Sequence, residues 1–418
     1  MNLLIRSAIV IDKKSEFHSD KVDILIKNGI ISNIARSIKN SNNYKELKFD
    51  NLHVSVGWFD YSISCGQPGY EERDNMKNTL DVASKSGFTC IGIQPNTNPV
   101  IDKRSEIEYI KLLSSDNIVT AHPIGSLTKK SEGSKLSEIF DMVEGGAIAF
   151  GDYKRSLKNP NILKLALQYS NNSNYPIMSF PNTMDISENG VVNENVTSTI
   201  LGLNPIPSFS EHLNIQRDLT ILEYAGGKLH IPTISTEKSC ELIRNAKKRG
   251  LNVSCSTTIH NLFFDDQYLS GYNTNFKVLP PLRSITDIES LKIAVKDGTI
   301  DLVTCDHNPL NIELKDLEFE NAAFGTIGLE SCFGALNKLF SMKSAIQILT
   351  RGRSIFSLNS PTISIGESAD ITLFNPNSDY IFSENEIFSK SKNSIFKNTK
   401  LKGKVYGIIS NNKVKLNV

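Results

Sequence analysis

The sequence predicts an α/β protein built on a TIM-like (β/α)8 barrel, with a small composite β domain formed by both termini. Three observations predict it. Between residues 53 and 359, short apolar strand-like runs take turns with amphipathic helical runs, the order imposed by a parallel sheet with crossover helices. The strand-like runs number eight, which suits a closed barrel better than an open sheet. Residues 1–52 and 360–418 both read as short strands around turn residues, so the two ends are expected to build one domain together.

In chain order, LLIRSAIVI (3–11) opens the terminal domain, and VDILIKNGIISNIA (22–35) follows with Asn28-Gly29 as a hairpin signal. The eight barrel strands are expected in GWFDYSIS, TCIGIQPN, NIVTAHPIG, GAIAFGD, YPIMSF, KLHIPTIS, LNVSCS and DLVTCD. Helices are expected between them, among others in residues 72–87, 135–146, 161–170, 212–227 and 238–250, several closing on a glycine as C-cap chemistry favours. The Asn/Ser-rich bridge at 171–175 reads as a loop. Longer connections at 183–207 and 259–286 follow strands on the face where barrel enzymes build their sites. ADITLFNP (369–376) and KVYGIISNNKVKLNV (404–418) complete the terminal domain.

Composition narrows the partners. With 418 residues, 22% charged residues and a formal net charge of +1, the chain offers no broad field for nucleic acid or a membrane surface. The first 20 residues lack a secretory apolar core, and no run reaches the roughly 18 apolar residues of a membrane span, so a cytoplasmic protein is expected. The six cysteines form no CxxC pair, which suits reduced buried thiols. Dinucleotide, P-loop and GxSxG signatures are absent, and the seven histidines form no HxH, HxxH or HExxH pair. His122 and His307 end predicted strands, so a metal site built from them with Asp152 and Asp306 is one alternative to their being polar residues of a former pocket. His230 is expected to be packed or hydrogen-bonded.

The local motifs narrow the reading further. VGWFDY followed by QPGYEERDN, then SGFTCIGIQPNTNPVID, EGGAIAFGD, LHIPTISTEKSCELI, KVLPPLRS, LVTCDHNP and AAFGTIGLES, in this order and spacing, resemble the dihydroorotase family, of the type related to the domain in multifunctional pyrimidine-synthesis proteins. The resemblance implies zinc held mainly by histidines at strand ends, a zinc-activated water, and an aspartate on the last strand that shuttles the proton. On that alignment the histidine positions fall at Ser62, Ser64, Phe180 and Thr233, none of which offers the lone pair of a neutral imidazole. Asp306 falls at the catalytic aspartate. Asp152 falls near a bridging ligand with Lys154 close by, so only Asp152 and Asp306 remain as metal candidates. Asn96 and Arg283 fall at substrate-binding positions, whereas Gly66, Leu279 and Leu310 replace an arginine, an asparagine and a histidine of that clamp.

These residues yield three expectations. The first is a dihydroorotase-like protein of de novo pyrimidine biosynthesis that is catalytically inactive, holds no cofactor, and serves as structural or regulatory partner of aspartate carbamoyltransferase. The second is an active dihydroorotase or related cyclic amidohydrolase, opening dihydroorotate reversibly to N-carbamoyl-aspartate with zinc in an atypical site. The third is a small-anion binding module that uses Asn96 and Arg283. A homo-oligomer is expected in each case, with neither nucleic acid nor membrane as partner.

Overall fold

Apolar alternation at both ends of the chain is resolved in one sheet. In the computed structural model, which describes residues 1–171, 173 and 175–417, its strands run in the order Lys413–Leu416, Thr399–Ser410, Ile371–Phe382, His53–Val56, Leu3–Val10, Lys21–Lys27 and Ile30–Ala35. A short strand, Lys45–Leu47, pairs in parallel with Leu3–Ile5. Parts of the polar bridge at 171–175 and the end of the last strand-like run lie outside the described residues. The Asn28-Gly29 turn has φ of 53° and 79°, the double positive φ that a two-residue hairpin requires. Leu3, Ile5, Ile24 and Ile26 from the first strands pack with Ile371, Leu373 and Ile409 from the last, so this core closes only when both ends of the chain meet.

The sheet extends past the boundary expected at residue 52. His53–Val56 pairs with Ile9–Val10 on one side and antiparallel with residues 371–374 on the other. One residue later, Trp58–Ile63 opens the barrel. Its parallel strands fall into two sheets, Trp58–Ile63, Phe88–Ile93, Thr120–Pro123 and then Ile177–Met178, Leu229–Ile231, Val253–Thr258, Leu302–Thr304. The expected fourth strand, GAIAFGD, pairs only through Phe150, which bridges Gly125 and Ile177 and so joins the two sheets; Ile63 bridges His307 and joins them on the other side. The predicted helices form as Met76–Lys85, Ile139–Gly145, Pro160–Ser170, Phe209–Ala225 and Glu237–Lys248. Gly146 caps the second of these in the left-handed region.

Trp58 marks the junction of barrel and sheet. Its ring is fully buried, with centroids of Phe333 at 4.7 Å, Phe374 at 5.8 Å and Phe88 at 6.0 Å. Gly87 lets the ring in: its φ is +94°, and a Cβ there would lie 2.5 Å from the indole. Gly87→Ala therefore combines backbone strain with overpacking and is expected to cost about 2 kcal/mol. Equilibrium urea unfolding of the variant checks this.

Candidate functional site

Side chains from five strand ends meet at the C-terminal mouth of the barrel, and Asp306 is their centre. It follows the strand Leu302–Thr304, is 2% exposed, and has φ of 49°. Ser62 Oγ donates to its Oδ1 at 3.0 Å, and Lys154 Nζ donates to its Oδ2 at 2.7 Å. Burial works against the Lys154 ammonium, yet the Asp306 carboxylate outweighs it and holds that pKa above the ordinary lysine value. Beneath this pair, Asp60 accepts from Ser62 N at 2.9 Å, Thr304 Oγ1 at 2.5 Å and Cys305 N at 2.6 Å, tying the first strand to the last. Ser64 Oγ accepts from Asn96 Nδ2 at 2.9 Å, so both expected serines and Asn96 sit in one patch.

The patch is left with unused polar groups. Asn96 Oδ1 and both ring nitrogens of His260 are buried without a hydrogen-bond partner. His260 lies within electrostatic range of both Asp306 and Lys154, and burial keeps its ring neutral, with the pKa lowered to about 3. Tyr153, Thr233 and Asp306 all take positive φ, at 55°, 50° and 49°. Three non-glycine residues held in this region cost about 1–3 kcal/mol each, and such strain clusters where a site's geometry is enforced.

Several expected placements change. Asp152 does not reach Asp306. Its carboxylate turns to the loop at 126–128, accepting from Ser126 Oγ at 2.7 Å, Thr128 N at 3.0 Å and Thr128 Oγ1 at 2.6 Å. Left-handed Tyr153 breaks the extended alternation, so Lys154 rather than Asp152 joins the patch. Arg283 is 2% exposed and is drawn into a separate network, donating to Ser235 Oγ at 3.0 Å and Asn193 Oδ1 at 2.8 Å with Glu211 at 3.6 Å. It is thus an internal strut and not a free half of a carboxylate clamp. At Gly66 a Cβ would lie 2.1 Å from the Tyr70 carbonyl oxygen, so this backbone accepts no side chain there.

The alternative metal site of His122 and His307 with Asp152 and Asp306 is not assembled either, and His230 is packed as expected. His122 shares a cavity with Thr89, Cys90 and Arg353 at the opposite, N-terminal end of the barrel. His307 Nδ1 accepts from Gly328 N at 3.2 Å. His230 packs edge-on to Tyr61 with centroids 5.1 Å apart and bonds Ser254 Oγ at 2.9 Å. Phe180 is buried and carries no donor atom, Leu310 is buried, and Leu279 is half-buried. Among the described residues, no three His, Cys, Asp or Glu side chains are grouped to hold a metal ion. The donor set therefore does not fit zinc: three neutral hydroxyls, a phenyl ring and a carboxylate already paired with an ammonium.

Sequence reasoning located Asp306, Ser62, Ser64 and Asn96 but missed His260, Tyr153 and the pairing of Lys154. His260 stands two residues after the strand Val253–Thr258, and that position was the one signal available.

Comparisons agree with the architecture. A family model described as "Dihydro-orotase-like" matches residues 53–239. A protein named dihydroorotase from Acetivibrio thermocellus is 35% identical over 99% of this chain and 98% of its own length. Another of the same name from Ruminiclostridium cellulolyticum is 36% identical over 96% of each chain. Among solved structures, an L-hydantoinase (dihydropyrimidinase) from Arthrobacter aurescens superposes with a TM-score of 0.85 over 100% of this chain and 97% of its own, at 18% identity. A dihydropyrimidinase from Brevibacillus agri gives 0.81 over 100% and 95%, at 17% identity.

Proposed function

The chain belongs to the dihydroorotase family of the amidohydrolase superfamily, and on that premise we propose that it serves pyrimidine synthesis as a noncatalytic member. In this reading an internal ion pair stands where relatives work with zinc. One observation carries the proposal. Both oxygens of Asp306, the group at the proton-shuttling position, are engaged by the chain's own donors, Ser62 and Lys154. A carboxylate held this way has no activated water to serve and no histidine-rich donor set beside it. The partner proposed for it is aspartate carbamoyltransferase, the compartment the cytoplasm, and the state a homo-oligomer. Six buried, unbridged cysteines suit that compartment.

A second reading is supported by the comparisons at least as well: an active dihydroorotase with an unusual site. Its support is likeness of 32–36% over 94–99% of this chain to proteins bearing that name. The strained residues and unpartnered side chains around Asp306 also suit a working pocket.

The discriminating experiment is metal depletion followed by zinc titration, with turnover of dihydroorotate and of N-carbamoyl-aspartate followed in both directions. No retained zinc and no turnover are expected. Zinc-dependent turnover would establish the second reading. Light scattering of the protein with and without the carbamoyltransferase tests the partner, and independent elution of the two would remove that arm of the proposal.

A further inference from the structure

We propose that the cleft between the terminal sheet and the base of the barrel binds a small phosphate monoester. It lies far from Asp306: Arg353, at its wall, donates to Gly57 O at 3.0 Å and Thr89 Oγ1 at 2.8 Å, at the N-terminal ends of the first two barrel strands. The cavity measures about 310 Å³ and opens between the turn at 11–14 and the helix Met342–Arg351. That size takes a phosphate with a body of a few heavy atoms.

Charge gives the class of ligand. Lys13, Lys14, Lys343, Arg351 and Arg353 line the cavity against one acid, Asp12. Asp12 is occupied, accepting from Lys14 N at 3.0 Å and Ile363 N at 2.9 Å. Arg353 is balanced by Asp370 at 2.8 Å, but the other four cations form no salt bridge among the described residues. Lys13 and Lys343 rest on the neutral oxygens of Gln347 at 2.9 Å and Ser19 at 3.0 Å. Three unbalanced cations therefore remain after Asp12 is counted, more than one carboxylate would neutralise and well matched to a phosphate dianion.

Unused nitrogens point the same way. Arg353 is only 6% exposed, and its Nε has no acceptor; Arg351 Nε and His18 Nδ1 on the same walls are also buried and unpartnered. These nitrogens lie behind the cavity surface and leave its walls short of acceptors, so the walls offer an occupant cations and unfilled donors more than oxygens. Lys343 stands in the first turn of its helix, where the macrodipole adds to the attraction for an anion. Ile346, Thr350 and Pro361 supply mixed walls for the ester body.

The test uses calorimetric titration and thermal melts of the full chain with inorganic phosphate, glycerol 3-phosphate and, at matched ionic strength, sodium chloride. Saturable binding of both phosphates is expected, tighter for the ester, with a rise in Tm that chloride does not give. Lys13→Glu with Lys343→Glu is expected to weaken binding at least tenfold while leaving the ligand-free Tm unchanged, since both side chains are exposed. Should that variant fail to fold, Lys14→Glu gives the same readout, because its ammonium makes no hydrogen bond among the described residues. Phosphate acting no better than chloride, or unchanged affinity in the folded charge variant, overturns the site. Binding of inorganic phosphate with no gain for the ester overturns the ester assignment.

Discussion

Lys154→Met is expected to lower the free energy of unfolding by about 3–5 kcal/mol at neutral pH, because it leaves Asp306 buried with no counter-charge. The Asp306 side chain is 2% exposed and that of Lys154 13%, so solvent screens the pair little. Asp306→Asn in the same chain should recover most of the loss. The amide oxygen can still accept from Ser62 Oγ, and no buried charge remains. The double-mutant cycle thus separates the cost of an orphaned carboxylate from the net worth of the pair. The pH dependence has a definite sign. The folded-state pKa of Lys154 is raised, so its contribution is fully present below the ordinary lysine value near 10.4 and is lost as pH climbs through the folded value. Urea melts from pH 7 to pH 11 should show this alkaline loss in the wild type and lack it in Lys154→Met. Equal stability of the two proteins at pH 7 would mean that water already screens both charges.

That ion pair could not be read from the sequence. Its partners are 152 residues apart, and their meeting depends on Tyr153 adopting positive φ, which no residue pattern announces for a tyrosine. The family resemblance carried Asp152 toward the site, because a motif gives the residue's place in the chain and not the left-handed turn at Tyr153 that follows it. Arg283 was misplaced for a related reason: a motif fixes the residue's position in the chain but not that Glu211, on the helix Phe209–Ala225, approaches its guanidinium.

The barrel was far more legible, since most of its strands are short runs of β-branched, aromatic or small buried residues bounded by turn residues, with helices between them. The boundary near residue 52 failed where that signal is uniform. HVSVGWFDYSIS is almost wholly buried, so nothing in its composition marks where it leaves one sheet and enters the next at Gly57.

Ser62→His, Ser64→His, Phe180→His and Thr233→His, combined with Lys154→Ala, are expected to create zinc binding in a protein whose present donors do not support it. Positions 62 and 64 lie two apart at one strand end, where alternation turns both side chains the same way. Thr233 has φ of 50°, a conformation that strains a β-branched residue and that histidine adopts more readily, so the backbone there already suits the replacement. Removing Lys154 is the step the structure adds. Its ammonium lies 2.7 Å from Asp306, and a divalent cation entering beside it would meet like-charge repulsion while competing for the same carboxylate. The four histidine substitutions with Lys154 retained should therefore bind zinc at least tenfold more weakly than the five-fold variant, as measured by competition with a chromophoric chelator. At free zinc of 100 times the dissociation constant, the five-fold variant should gain about 2.7 kcal/mol of stability. A folded five-fold variant that takes up no zinc would show that residues 62, 64, 180 and 233 do not converge on one centre.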